Sequence, residues 1–224
     1  MMNIKANLEQ LKKRIPEHVD LVAVSKTKPA HMVRELFEAG HLDFGENKVQ
    51  ELVEKQQELP QEIRWHMIGH LQSNKVKYIA PFVHLVHGVD SLKLLRMLDK
   101  EGRKNERQIN CLLQVHIAKE TSKFGLSEEE LDSILDSEEF RKMEFVKVRG
   151  LMGMATFTDN SEVVREEFRN LKRIFEKLKS THYRSQPGFS VLSMGMSDDY
   201  QLAIEEGSNM IRVGSLVFGP RKTT

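Results

Sequence analysis

Short apolar stretches rich in β-branched residues recur along the chain, and each is followed by a segment whose apolar residues fall three or four apart. The first kind predicts buried strands over residues 21–25, 42–45, 65–69, 85–89, 110–117, 148–152, 190–193 and 210–213. The second predicts helices over residues 30–39, 47–58, 76–79, 91–102, 127–135, 162–180 and 199–206, with a further one ahead of the first strand over residues 3–14. Strands that alternate with helices pair in parallel and bury both faces. Eight such units in 224 residues predict an α/β fold, a closed (β/α)8 TIM barrel with an additional N-terminal helix, rather than an open doubly wound sheet. No tract rich in Pro, Gly or Ser interrupts the pattern, so residues 1–224 read as a single domain.

Composition narrows the setting. Hydrophobic residues make up 39% and charged residues 30%, a soluble globular profile with no need of a membrane. The N-terminus alternates apolar and charged residues instead of carrying the unbroken apolar core of a secretion signal. The single cysteine, Cys111, lies in an apolar run and reads as a buried, inert thiol, and both features favour the cytoplasm. A formal net charge of +1 offers no global field for nucleic acid. Recognition must come from a local site, which in a parallel barrel belongs at the C-terminal ends of the strands.

The first strand runs through Val22 and Val24 into Lys26, which shares their alternation and should point to the same side. A lysine there reads either as a nucleophilic amine that forms a Schiff base, its pKa lowered by desolvation and by Lys28 two residues on, or as a strand-end lysine reaching for water. The seventh strand runs into Ser193-Met194-Gly195-Met196-Ser197-Asp198-Asp199 and the eighth into Gly214-Ser215. Small residues at a helix start offer a cup for a phosphate; the plainer reading is two N-caps, with Ser197 or Asp198 in one and Gly214-Ser215 in the other. Arg212 lies between Ile211 and Val213 in an otherwise uncharged strand. Its guanidinium needs an acceptor, either a ring nitrogen of a bound cofactor or a carboxylate such as Glu46 or Asp198.

Other signals carry less. His66 and His70 are separated by Gly69 in a strand-then-turn context, which argues against a metal pair, and His84 and His87 read as structural histidines. The loop over residues 119–125 should lie at the barrel mouth as a solvated turn, with a second phosphate or a partner as the alternative. The basic pair Arg221-Lys222 is too short to argue nucleic-acid binding.

With these residues in view, the chain resembles the YggS-like pyridoxal 5′-phosphate (PLP) homeostasis protein family over nearly its whole length. The resemblance rests on Val22-Ala23-Val24-Ser25-Lys26-Thr27-Lys28-Pro29, on Phe44-Gly45-Glu46-Asn47, on residues 65–75 from Trp65 to Lys75, and on Arg149-Gly150-Leu151-Met152. It continues through residues 192–199 and through Arg212-Val213-Gly214-Ser215 with Phe218-Gly219. It implies the barrel of the alanine racemase fold without that enzyme's appended β domain, and residues 215–224 are too few to form one. It implies that Lys26 carries PLP as a Schiff base, that Arg212 faces the pyridine nitrogen, that Ser193, Gly214 and Ser215 hold the phosphate, and that Asn47 stands near the ring. It implies a binding and buffering role in vitamin B6 balance, without established catalytic turnover, and delivery of PLP to apo-enzymes. The compact barrel suggests a monomer. Two rivals use the same lysine: a PLP-dependent racemase, which needs a second acid/base group such as His66 or Tyr200, and a cofactor-free Schiff-base enzyme.

Overall fold

The computed structural model describes residues 3–119 and 124–220. Within them, eight parallel strands close into a barrel in chain order: β1 (Asp20–Val24), β2 (Asp43–Glu46), β3 (Arg64–Met67), β4 (Leu85–Val89), β5 (Ile109–Gln114), β6 (Val146–Met152), β7 (Val191–Ser193) and β8 (Met210–Val213). The last strand returns to the first, with Val22 opposite Arg212 and Ala23 opposite Val213. Alternate side chains point to opposite faces, so the barrel has two cores. Val22, Leu85, Leu112, Met152 and Met210 form a small cluster inside it. Ala23, Phe44, Trp65, Val86, Leu113, Leu151 and Ile211 belong to the larger core shared with the helices.

The surrounding helices are α1 (Ile4–Lys12), α2 (Ala30–Glu38), α3 (Val49–Glu58), α4 (Val76–Ile79), α5 (Leu92–Lys104), α6 (Glu128–Asp136), α7 (Glu138–Arg141), α8 (Ser161–Ser180), α9 (Tyr200–Glu205) and α10 (Ser215–Phe218). In α8, Val164, Phe168, Leu171, Phe175 and Leu178 repeat at three or four residues and make one buried stripe. Asn160 accepts from Glu162 N and Val163 N to begin that helix. A capping box of Ser127 and Glu130 begins α6. The N-terminal α1 packs beside α10, where Asn7 Nδ2 donates to Val217 O at 3.1 Å.

Three expectations change. The fifth strand ends at Gln114 instead of residue 117: Val115 N still donates to Met152 O, but beyond it the chain turns to Leu126, which bridges Val115 and whose amide donates to Gln114 O. The helix expected from residue 47 starts at Val49, which leaves Asn47 at the barrel mouth. Helix α7, four residues long, is absent from the expected elements, whereas α10 begins at Gly214-Ser215 as the N-cap reading has it. Cys111 is buried, and burial pushes its thiol pKa up. Residues 120–123 of the mouth loop and the pair Arg221-Lys222 lie outside the described residues. No helix among the described residues is long and apolar enough to cross a membrane.

Candidate functional site

At the C-terminal mouth, β1, β2 and β8 deliver Lys26, Asn47, Arg212, Gly214 and Ser215 to one cavity of about 300 Å³. The alternation of β1 continues past its end, so Val24 and Lys26 both line it. Gly214 is a place of close approach, because an added Cβ would stand 3.2 Å from Val24 O and 3.3 Å from Val24 Cβ. Beyond it, Gly214 occupies the N-cap of α10 with no side-chain cap, and Ser215 opens the helix. A larger open cleft of about 590 Å³, lined by Val53, His70 and Tyr78 among others, shares only Asn47 with the first. The convergence of an amine, a guanidinium and a helix start singles out the smaller cavity.

Of the expected site residues, Ser193 lies apart from this cavity. It does not line this cavity: it is fully buried, its hydroxyl accepts from Arg212 Nη1 at 2.7 Å, and it stands 3.2 Å from His87 Nδ1. The chain needs the turn at Met194-Gly195-Met196 before it reaches the mouth, with Gly195 at a φ of 99°. The hydroxyl that arrives there is Ser197, which lines the cavity and accepts from Gly214 N at 3.3 Å. Of the two readings of this segment, phosphate cup or N-cap, the structure gives Ser197 the position of the first. The N-cap of α9 is instead Asp199, which makes no side-chain cap bond and accepts from Met196 N.

Arg212 is 4% exposed and has neither expected carboxylate. Its second nitrogen, Nη2, donates to Gly153 O at 3.1 Å. Burial pulls its pKa down to about 10, partly offset by the charge of Asp199, so the guanidinium remains a cation at neutral pH. Glu46 is committed elsewhere. Its Oε1 accepts from Ser25 Oγ at 2.6 Å and from Lys55 Nζ at 2.7 Å, while Lys55 Nζ also donates to Ser25 O and to Glu51 Oε1 at 2.8 Å each. Glu51 Oε1 in turn accepts from Thr27 N at 2.6 Å, where the backbone takes a φ of 63°. This network grips both residues flanking Lys26 and fixes the turn that aims it. Burial raises the Glu46 pKa to about 6, against the lowering effect of Lys55. Lys28, expected as the second cation beside Lys26, lines the same cavity but donates its Nζ to the carbonyls of Phe218, Gly219 and Pro220 at 3.1, 3.3 and 3.2 Å.

His66 and Tyr200 do not line the cavity. His66 belongs to a group with Asp43 and His84 whose ligand atoms lie within 4.8 Å of one another. Two of its three members are already engaged, since Asp43 accepts from His66 Nε2 at 3.0 Å and pairs with Arg64 through its other oxygen. His70 pairs instead with Asp90, 3.4 Å away.

Comparison with known proteins places the chain in a family. The family model described as alanine racemase, N-terminal domain, matches residues 1–222. A pyridoxal phosphate homeostasis protein of Aquifex aeolicus is 38% identical, with 90% of this chain and 87% of the relative covered. The protein of that name in Escherichia coli K12 is 36% identical over 99% of this chain and 98% of its own length. Among solved structures, PipY of Synechococcus elongatus PCC7942 with PLP bound is 35% identical with a TM-score of 0.88, covering 97% of this chain and all (100%) of PipY. Alanine racemase of Clostridium difficile shares the fold alone, at 16% identity and a TM-score of 0.77 over 99% of this chain and 60% of that enzyme. From the match across the barrel and the full-length likeness to these relatives, the chain belongs to the pyridoxal phosphate homeostasis protein family.

Proposed function

We propose that this protein binds PLP in the cavity at its C-terminal mouth, covalently through a Schiff base on Lys26, and serves to hold and supply the cofactor. The observation that carries the reading is the convergence of Lys26, Arg212, Ser197 and the Gly214-Ser215 helix start on one cavity. Each group suits one part of the cofactor: an amine for the aldehyde, a guanidinium for the ring nitrogen, and a hydroxyl with helix-start amides for the phosphate. Asn47 lies on the β2 side of the same cavity, in reach of ring substituents. The likeness to PLP-bound PipY supports the choice of ligand. When bound, PLP supplies an electron sink. A cationic Arg212 at the ring nitrogen would keep that nitrogen unprotonated and weaken the sink. That arrangement favours holding over turnover, as does the position of His66 and Tyr200 away from the cavity.

In this reading the chain acts as one cytoplasmic domain, as a monomer, and passes PLP to apo-enzymes. Phe157 and Met196, both exposed, give the cavity mouth an apolar rim for a recipient to meet. The visible spectrum of the purified protein, followed by borohydride reduction and peptide mapping, tests the site. A pyridoxyl adduct on Lys26 is expected, together with loss of colour in Lys26→Ala; an adduct elsewhere, or unchanged colour in the variant, refutes the assignment. Exchange of amino-acid α-protons in deuterated water at ordinary enzyme rates would instead favour a racemase.

A further inference from the structure

Arg212 is buried and makes no salt bridge among the described residues; its donors go to the groups beneath it. Arg212 Nη1 donates to Ser193 Oγ at 2.7 Å, Ser193 Oγ stands 3.2 Å from His87 Nδ1, His87 Nε2 stands 3.0 Å from His66 Nδ1, and His66 Nε2 stands 3.0 Å from Asp43 Oδ1. These contacts run unbroken from the guanidinium at the cofactor cavity to a carboxylate at the start of β2. Asp43 lines a separate cavity of about 310 Å³, with Asp20, His41 and Arg64, at the opposite mouth. Ser193, His87 and His66 are all buried.

Polar groups so placed are costly unless every one is satisfied. With both imidazoles neutral, one proton order satisfies them all. A carboxylate only accepts, so His66 Nε2 carries the proton and His66 Nδ1 is an acceptor. His87 Nε2–H then donates to His66, which leaves His87 Nδ1 to accept from the Ser193 hydroxyl. Ser193 Oγ accepts in turn from Arg212. Burial drives His87 to the neutral form that this order requires. The chain is thus polarised in one direction, from cation to anion, across the whole barrel.

We propose that Asp43, His66 and His87 are positioning residues for Arg212, setting its orientation and polarity through Ser193 and so coupling the far mouth of the barrel to the ring-binding end of the cofactor site. The coupling rests on the PLP reading above; the chain itself does not.

Two measurements separate them. Histidine ¹⁵N spectra of the protein without added PLP at pH 8 should show His87 neutral and protonated on Nε2; a proton on His87 Nδ1 overturns the chain. In the PLP-loaded protein, Asp43→Asn and His87→Gln should displace the pH midpoint of the visible spectrum and weaken PLP binding about two- to tenfold, the worth of one net hydrogen bond. Asp20→Asn, at the same mouth but outside the chain, should leave both unchanged. Equal effects from Asp20→Asn mean plain electrostatics and sink the proposal. So does a folded, PLP-binding Asp43→Asn protein whose spectrum titrates as the unaltered one does, even where His87→Gln fails to fold. An unaltered protein that takes up no PLP refutes the cofactor reading and the coupling with it, while the ¹⁵N spectra still decide the chain.

Discussion

At the scale of single residues, Lys26 and Arg212 were legible because a charge inside an apolar strand has few explanations. The pairing of Glu46 with Lys55 was not, because the two lie on different elements and nothing in their spacing joins them. Glu46 is fully buried, and its Oε2 has no hydrogen-bond partner among the described residues, so Lys55 is what makes its charge tolerable. Lys55→Met should therefore destabilise the protein by about 3–5 kcal/mol at pH 8, measured by denaturant unfolding, because it leaves a buried carboxylate uncompensated. The loss should be smaller at pH 5, where the carboxyl is protonated. The sign of the pH effect in the unaltered protein follows from the folded pKa of about 6, raised from 4.5. A raised carboxyl pKa contributes stability that is fully present below pH 4.5 and is lost as pH rises through 6. Relative to Glu46→Gln, the protein should lose about 2 kcal/mol across that window. A flat difference between pH 4 and pH 7 would show that Glu46 is not held in a desolvated site.

At the scale of elements, the tie between Lys28 and α10 links the start of the barrel to its end. Lys28 Nζ donates to the carbonyls of Phe218, at the helix C-terminus, and of Gly219 and Pro220 just past it, where the regular backbone bonding of the helix has ended. Lys28→Met should raise hydrogen exchange over residues 215–220 at least several-fold while strand amides of β1 to β6 keep their protection. Uniform loss of protection would mean a general destabilisation, and no change would mean that the tie holds nothing. The eight strands themselves were legible from apolar runs, since strands buried on both faces have no other composition. Their ends were less so. Val115-His116-Ile117 continues the apolar alternation of β5, yet the ladder stops where β6 ends opposite Gln114. Helix α7 is a single turn begun by Ser137, which accepts from Phe140 N, and so short an element has no periodicity to read. The same uncertainty over loop length explains Ser193 and Ser197. The sequence offers two hydroxyls after β7, and only the turn at Gly195 decides which of them reaches the mouth.

At the scale of the whole molecule, the site is assembled from opposite ends of the chain, with Lys26 after β1 and Gly214-Ser215 after β8. A ligand attached to the first and cradled by the second spans the seam where the barrel closes, and that seam exists only in the folded state. Binding must then stabilise the fold by mass action, by about 2.7 kcal/mol when free ligand is a hundred times its dissociation constant. For a chain of this size that corresponds to a rise of roughly 5–10 °C in the unfolding midpoint. Calorimetry with and without saturating PLP should find that rise in the unaltered protein and little of it in Lys26→Ala. Pyridoxal, which has the aldehyde but no phosphate, should give a smaller rise, because it leaves the Ser197 and Gly214-Ser215 end unfilled. If pyridoxal stabilised the protein as well as PLP does, the last strand's contribution to the site would be refuted even with the lysine assignment intact.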